Sequence, residues 1–294
     1  MLRKQGPRAS RRTVRKFPCP MQASPQVIPS PPWPVHACFW PVAAMAVLNV
    51  VEPWASSAAG NGSATCLDGK TGKVISMAFT GGAPARLDPD VDPKDLDEGP
   101  KAVTVPGAFG GRIELARCYG RLPLSTLLEP AIGYARDGHP LDESITGYIR
   151  DAQASIARYP TTAAIFLADG KIPAPRGTFR NVSLARTFQA IADAETAAIK
   201  SGADRERALD AAYDYFYSGP IAQEFDRFMR KGGGWLNLED MRAYRPRWAD
   251  PASTAYRGYD VYCAPLTSRT GLEVCEPRRR VWNHRGDGRH GTSL

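Results

Sequence analysis

Histidine is scarce and cysteine is scattered in this sequence. It has four histidines, and three of them, His36, His284 and His290, lie close to the two ends. A Ser-His-Asp triad needs a histidine beside its nucleophile, and no G-x-S-x-G elbow is present either. The six cysteines contain no C-x-x-C pair and lie at no zinc-ligand distance from a histidine. These absences argue against a serine-hydrolase triad, and we expect no metal site and no cofactor.

A long apolar run is also missing. Residues 33–51 are mostly apolar, but His36 and Asn49 interrupt them, and a membrane span needs about 20 apolar residues. Arg11 and Arg12 stand in a stretch that faintly resembles an export signal, but eight prolines between positions 18 and 41 break any helix after it. We therefore predict no membrane span. The compartment stays open between a periplasmic or secreted location and a cytoplasmic one.

The positive charge of the chain is confined to its ends. The net charge is +8, yet residues 1–40 carry +7 and residues 277–294 carry +4, which leaves −3 for residues 41–276. A nucleic-acid site requires a basic face on the folded part of a protein, so we expect no nucleic-acid partner. The same boundaries predict a basic, proline-rich, non-core segment, one domain at 41–276, and an arginine-rich tail without a hydrophobic period.

Hydrophobic periodicity in the middle of the chain predicts an α+β fold. Helices are expected at 43–51, 108–119, 125–137, 142–159, 183–200, 205–217 and 220–231. Strands are expected at 65–67 and 73–79, as a hairpin, and at 102–105 and 254–263. Asn237 and Asp240 have the spacing of a helix cap. His139 precedes Pro140 at a helix end, which favours a capping or surface role over a catalytic one.

Four stretches of sequence occur in an order that is typical of one family. They are Val50-Val51-Glu52-Pro53 with the small-residue run 58–63, then Ala83-Pro84, then the block from Val105-Pro106-Gly107 to Ala135-Arg136-Asp137-Gly138, and last the block from Phe216-Tyr217-Ser218-Gly219-Pro220 to Tyr256-Arg257-Gly258-Tyr259. Together they resemble the large subunit of the γ-glutamyltransferases over about residues 42–276. The third block matches almost position for position.

This resemblance implies a fold and a mechanism. The fold would be part of the four-layer αββα sandwich of N-terminal-nucleophile hydrolases, with residues 125–231 as helices on one side. Family members cleave themselves to expose a threonine that forms an acyl-enzyme with a γ-glutamyl amide. That threonine begins a small subunit, beyond Glu276, so no catalytic residue is expected in this chain. The implied partners are a γ-glutamyl or acyl amide substrate and the small-subunit segment.

One departure from the family concerns substrate binding. Where the family has an arginine that pairs with the α-carboxylate of the substrate, this sequence has Thr80, in Thr80-Gly81-Gly82-Ala83-Pro84. A hydroxyl cannot form the two parallel charged hydrogen bonds that arginine gives a carboxylate. The resemblance therefore makes Thr80 the candidate substrate-binding residue and implies a weaker preference for γ-glutamyl groups.

Three functional interpretations follow. The first is a fragment of a γ-glutamyltransferase or glutathione hydrolase. The second is a non-catalytic relic or a partner module for a small-subunit-like chain, and the third is an acylase or amidase with altered specificity. The patternless sequence after Glu276 favours a reading-frame artefact over a natural truncated form.

We predict that the 294-residue chain alone releases no aniline from a γ-glutamyl anilide and does not cleave itself, because no threonine in it is expected to become an N-terminal nucleophile. Absorbance of the released product measures the first outcome, and intact mass after days at neutral pH measures the second. Turnover that survives substitution of every threonine, or a clean split of the chain, would contradict this assignment.

Overall fold

The structure, a computed structural model, describes residues 39–69, 71–256 and 259–265. The sequence predictions for residues 1–38 and 277–294 lie outside this part of the chain. Within it, none of the helices combines the length and the apolarity that crossing a membrane requires.

Helices make up about half of the described chain. They are α1 Phe39–Val51, α2 Ala108–Tyr119, α3 Leu124–Asp137, α4 Glu143–Asp151, α5 Gln153–Ala157, α6 Pro160–Phe166, α7 Val182–Lys200, α8 Arg205–Tyr217, α9 Pro220–Gly232 and α10 Leu238–Ala243. The single helix predicted at 142–159 is wrong: Ala152 leaves helical geometry at φ −92° and ψ 8°, and it ends α4 and precedes α5. The predicted cap is confirmed, because Asn237 and Asp240 form a capping box at the start of α10.

The strands form one small sheet and two separate pairs. They are β1 Ser63–Leu67, β2 Val74–Ala78, β3 His139–Pro140, β4 Thr178–Phe179, β5 Arg247–Ala249, β6 Ala252–Tyr256 and β7 Tyr259–Cys263. The sheet has the order β1-β2-β5 and is antiparallel throughout. β3 pairs with β4, and β6 pairs with β7.

Two strand predictions need correction. Residues 102–105 form no strand: Pro100–Ala102 is a 3-10 turn, and the Val105 N–H donates to the Gly82 carbonyl of a loop, at 3.1 Å. The single strand predicted at 254–263 is the hairpin of β6 and β7. The alternating pattern is the same for one long strand and for two short ones, so periodicity alone does not distinguish them.

The predicted hairpin of β1 and β2 is confirmed, and its turn explains why it forms. The Asp68 N–H donates to the Lys73 carbonyl at 2.9 Å, and Gly72 takes a positive φ of 69° that closes the turn. Ser76, in the central strand, is fully buried; its hydroxyl lies 2.9 Å from the Thr65 hydroxyl and 3.1 Å from the Cys263 carbonyl. This polar contact connects the sheet with the β6–β7 hairpin.

The helices pack around one main hydrophobic core, in which α7 contacts both α3 and α8. A buried carboxylate from α7 completes the start of α3. Pro123 precedes α3 and offers no side-chain acceptor, and the Leu124 N–H donates instead to Glu195 Oε2 at 2.6 Å. Glu195 has no exposed surface, and desolvation raises its pKa above the ordinary value.

Tyrosines of α8 fix the segment that leads into α2. The Tyr217 hydroxyl donates to the Pro106 carbonyl at 2.8 Å and accepts from the Gly110 N–H at 2.9 Å. The ring of Tyr217 stacks on those of Tyr213 and Tyr244, with centroids 4.4 and 5.2 Å apart. Burial raises the pKa of Tyr217 well above its ordinary value, so the hydroxyl stays protonated and keeps both hydrogen bonds.

His139 is buried, contrary to the surface or capping role predicted from its position. Only 5% of its surface is exposed, and its ring packs edge-on against Phe179 with centroids 5.8 Å apart. The pairing of His139 with Phe179 across β3 and β4 places it there. A two-residue strand pair leaves no periodic signal in a sequence.

We predict that Tyr217→Phe lowers the free energy of unfolding by about 1–3 kcal/mol, because it leaves a buried N–H and a buried carbonyl without their shared partner. Urea unfolding followed by circular dichroism measures the change. Tyr134→Phe removes a hydroxyl from a residue that is 47% exposed and is the matched control, with little change expected. Equal effects of the two substitutions would contradict the assigned role.

Candidate functional site

Thr80 lies where three backbone segments meet, a region that we call the loop junction. Its segments are residues 60–62, between α1 and β1, residues 79–82, after β2, and residues 104–108, before α2. Each segment hydrogen-bonds to one of the others through its backbone. The position of Thr80 is therefore set by two segments that are remote from it in the sequence.

Backbone hydrogen bonds at ordinary distances of 2.7–3.1 Å hold the loop junction together. The Gly60 carbonyl accepts from Gly107 N–H at 2.9 Å and from Ala108 N–H at 2.7 Å. These donors belong to the start of α2, where a helix has no internal acceptors for its first N–H groups. The Phe79 N–H donates to the Gly62 carbonyl at 2.9 Å, so the segment after β2 is held as well.

The Asn61 side chain bridges the other two segments. Its Oδ1 accepts from the Gly81 N–H at 2.6 Å, and its Nδ2 donates to the Thr104 hydroxyl at 3.0 Å. The first of these bonds lies beside Thr80, since Gly81 follows it directly. Asn61 was not singled out from the sequence, because it occurs in a small-residue run that reads equally well as a plain turn.

Thr80 itself is exposed at the end of β2. Its hydroxyl makes one long hydrogen bond, 3.5 Å to the Gly62 carbonyl. The loop beyond it is held by α10, because the Ala85 N–H donates to Asp240 Oδ1 at 3.0 Å. The structure thus places a neutral, accessible hydroxyl at the predicted site residue, on a loop that is anchored on both sides.

A cavity of about 230 Å³ opens on another side of the loop junction. It shares Gly60, Asn61, Phe79 and Ala108 with the junction, whereas Thr80 does not line it. The other lining residues are Met45, Leu48, Asn49, Trp54, Ala55, Ser56, Ser57 and Arg112. The cavity is thus part apolar and part polar, and Arg112 is its charged residue.

Arg112 is a buried cation in the middle of α2, with 2% of its surface exposed. Its Nε donates to the Ala108 carbonyl at 3.3 Å, its Nη1 to Asn49 Oδ1, and its Nη2 to the Ala58 carbonyl at 3.3 Å. Desolvation lowers the pKa of Arg112 to about 10, so the side chain remains charged at neutral pH. Sequence reasoning missed it, although it shares a helix face with Ala108 and Ala116, where an arginine is unexpected.

In the described ranges no three His, Cys, Asp or Glu side chains are grouped closely enough to hold a metal ion. The polar groups available at the site are accordingly hydroxyls, amides, backbone N–H groups and one guanidinium.

Comparison with known proteins places this geometry in a family context. Residues 41–276 match the family model described as gamma-glutamyltranspeptidase. The chain is 34% identical to the glutathione hydrolase-like YwrD proenzyme of Bacillus subtilis over 173 residues, which cover 58% of this chain and 30% of that protein. It is 28% identical to the glutathione hydrolase proenzyme of Escherichia coli over 239 residues, which cover 78% of this chain and 38% of that protein.

Solved structures give the same picture of the fold. The chain superposes on the γ-glutamyltranspeptidase of Helicobacter pylori with a TM-score of 0.70 and 24% identity, covering 87% of this chain and 74% of that one. It superposes on a cephalosporin acylase from Bacillus halodurans with a TM-score of 0.65 and 29% identity, covering 78% and 41%. The predicted fold class, a partial N-terminal-nucleophile hydrolase sandwich, is confirmed. The chain spans about a third of the length of the two curated relatives.

We predict that Gly81→Ala destabilises the chain and Gly82→Ala does not. A methyl group at Gly81 would lie 1.6 Å from the Val105 carbonyl oxygen, so two backbone segments must separate, whereas one at Gly82 meets nothing within 4 Å. We expect a loss of about 1–3 kcal/mol for Gly81→Ala and a change within about 0.5 kcal/mol for Gly82→Ala. Chemical unfolding of both variants measures this. Similar stabilities would show that the segments are not in close contact.

Proposed function

Since the chain belongs to the γ-glutamyltranspeptidase family, we propose that residues 41–276 provide the large-subunit part of an enzyme that cleaves or transfers γ-glutamyl or related acyl amides. The match over this whole range carries the proposal. The nucleophile would be a threonine outside these residues, in a small-subunit segment that completes the sheet. Two curated relatives are proenzymes, which accords with a chain that acts after cleavage.

The chemistry of such a site needs no group beyond the threonine and its substrate. The hydroxyl oxygen attacks the amide carbonyl while the α-amine of the same threonine takes the hydroxyl proton. The C–N bond breaks, the amine leaves with that proton, and an ester joins the acyl group to the threonine. Water or an acceptor amine then attacks the ester, which gives the acid or a new amide and restores the hydroxyl.

The part of residues 41–276 in this reaction is to hold the acyl group. Thr80 is exposed on an anchored loop, and its hydroxyl makes one long bond of 3.5 Å, so it is available to a substrate. A threonine hydroxyl has one donor, whereas an arginine has five in a planar fork that fits a carboxylate. We therefore propose that this enzyme discriminates weakly in favour of a γ-glutamyl group and accepts simpler acyl amides.

An acylase is the second candidate function, and Thr80 is the observation that favours it. A substrate without an α-carboxylate cannot pair with the family's arginine. A neutral residue at this position avoids leaving an unpaired charge beside the acyl group of such a substrate. The chain is similar to a cephalosporin acylase as well as to glutathione hydrolases. The two functions differ in acyl donor and share the mechanism.

Thr80→Arg separates the two candidates. The test uses a proenzyme in which residues 41–276 replace the matching segment of the Escherichia coli relative, so that a threonine nucleophile is present. We expect the substitution to raise kcat/KM for a γ-glutamyl anilide, relative to a simple acyl anilide, by about tenfold or more, which corresponds to about 1.4 kcal/mol of transition-state binding. Thr80→Val, which removes the hydroxyl and keeps the size, is the matched control and should not raise the ratio.

Two results would contradict the proposals, and they differ. A hybrid that is processed but never forms an acyl-enzyme, as judged by intact mass, would overturn the assigned activity. A hybrid that already strongly prefers the γ-glutamyl anilide and does not respond to Thr80→Arg would overturn only the role of Thr80. In that case another residue holds the carboxylate.

A further inference from the structure

The cavity beside the loop junction contains a charge that no described part of the chain neutralises. Arg112 lines it, and in the described ranges no Asp or Glu oxygen lies within ion-pair distance of its guanidinium. Among the residues that the structure describes, its hydrogen-bond partners are neutral oxygens, of Asn49, Ala58 and Ala108. A buried cation normally has an anionic partner, because neutral acceptors do not return the solvation that its charge loses.

Two N–H groups of the guanidinium make no hydrogen bond to the described residues. Arginine has five N–H groups, and the three hydrogen bonds use three of them, which leaves one on each terminal nitrogen. A carboxylate accepts from two such groups at once, in parallel charged hydrogen bonds. The unused donors therefore match a carboxylate in number as well as in charge.

The remainder of the lining indicates what kind of anion fits. Met45, Leu48 and Trp54 supply apolar surface, and Asn49, Ser56 and Ser57 supply polar atoms, of which Asn49 Oδ1 accepts from Arg112. A bare inorganic ion would leave the apolar surface uncovered, whereas an organic anion with a hydrocarbon body would cover it. A volume of about 230 Å³ is that of a small molecule.

We propose that this cavity is a binding site for a small organic carboxylate, with the carboxylate on Arg112 and an apolar body against Met45, Leu48 and Trp54. The site is independent of the proposed function, because Thr80 does not line the cavity and no step of the acyl transfer uses Arg112. The bound acid supplies an anion to a buried charge whose other contacts are neutral oxygens and the rings of Phe109 and Phe188, each 6.0 Å from the guanidinium carbon.

Calorimetric titration of the full chain with hexanoate tests the proposal, with hexanamide and acetate as comparison ligands. Hexanamide has the same body without the charge, and acetate has the charge without the body. We expect one hexanoate per chain, bound about tenfold or more tightly than either comparison ligand, with a rise in Tm that only hexanoate produces at equal concentration.

Two substitutions tie the binding to Arg112. Arg112→Met removes the charge and keeps an unbranched apolar side chain, and Asn49→Asp supplies a carboxylate to Arg112 from within the chain. We expect each to weaken hexanoate binding by about tenfold or more. Arg136→Met removes an arginine on α3 whose exposed guanidinium pairs with Asp137, and it is the control that should leave binding unchanged.

Several results would contradict the proposed carboxylate site. Absence of hexanoate binding by the unmodified chain, equal affinity for hexanamide, or full binding by Asn49→Asp would each overturn the proposal. Equal affinity for acetate would overturn the role of the apolar walls and leave a site that binds small anions by charge alone. If Arg112→Met does not fold, Asn49→Asp and the three ligands still give the answer.

Discussion

The structure depends most on how closely its backbone segments approach one another at the loop junction. Gly107 allows the Phe79 carbonyl to come within 1.8 Å of where a methyl group would stand, and Gly81 does the same for the Val105 carbonyl. At that distance the two backbones hydrogen-bond directly, from the Val105 N–H to the Gly82 carbonyl, and the Asn61 side chain adds a second link between them. The start of α2 belongs to the same contact, because the Gly60 carbonyl accepts from the Gly107 and Ala108 N–H groups. One wall of the cavity is part of it too, since Gly60, Asn61, Phe79 and Ala108 line both.

Those parts of the fold that arise from local interactions were predictable from the sequence. The bounds of α2 and α8 agree with their predicted ranges to the residue: Pro106 and Gly107 precede α2, α8 has a regular apolar period, and each helix ends at a residue that leaves helical geometry. The β1–β2 hairpin and the capping box of α10 were predictable for the same reason. The resemblance of four ordered blocks to a known family supplied the fold beyond these elements.

The parts that were not predictable arise from contacts between remote residues. Residues 102–105 have the composition of a strand, yet only a loop lies beside them. His139 is buried by a two-residue strand pair, and Arg112 by packing of α2 against α1 and α8. A sequence shows what a residue is and which face of a helix it shares, but burial of a charge needs the neighbouring elements. Thr80 was therefore identified from the resemblance to the family. Arg112 was identified only from the packing of the helices around it.

The contact of Glu195 with Leu124 has a consequence for the order in which the chain acquires its structure. The carboxylate that satisfies the first N–H of α3 lies 71 residues further along the chain. A helix of this length is marginal by itself in water, because its first turn is costly to form. During synthesis α3 emerges long before α7, so its amino-terminal turn frays until α7 docks against it. We therefore expect α3 and α7 to become stable together. The segment between them, which contains α4 to α6, is then a long insertion between two helices that are already packed against each other.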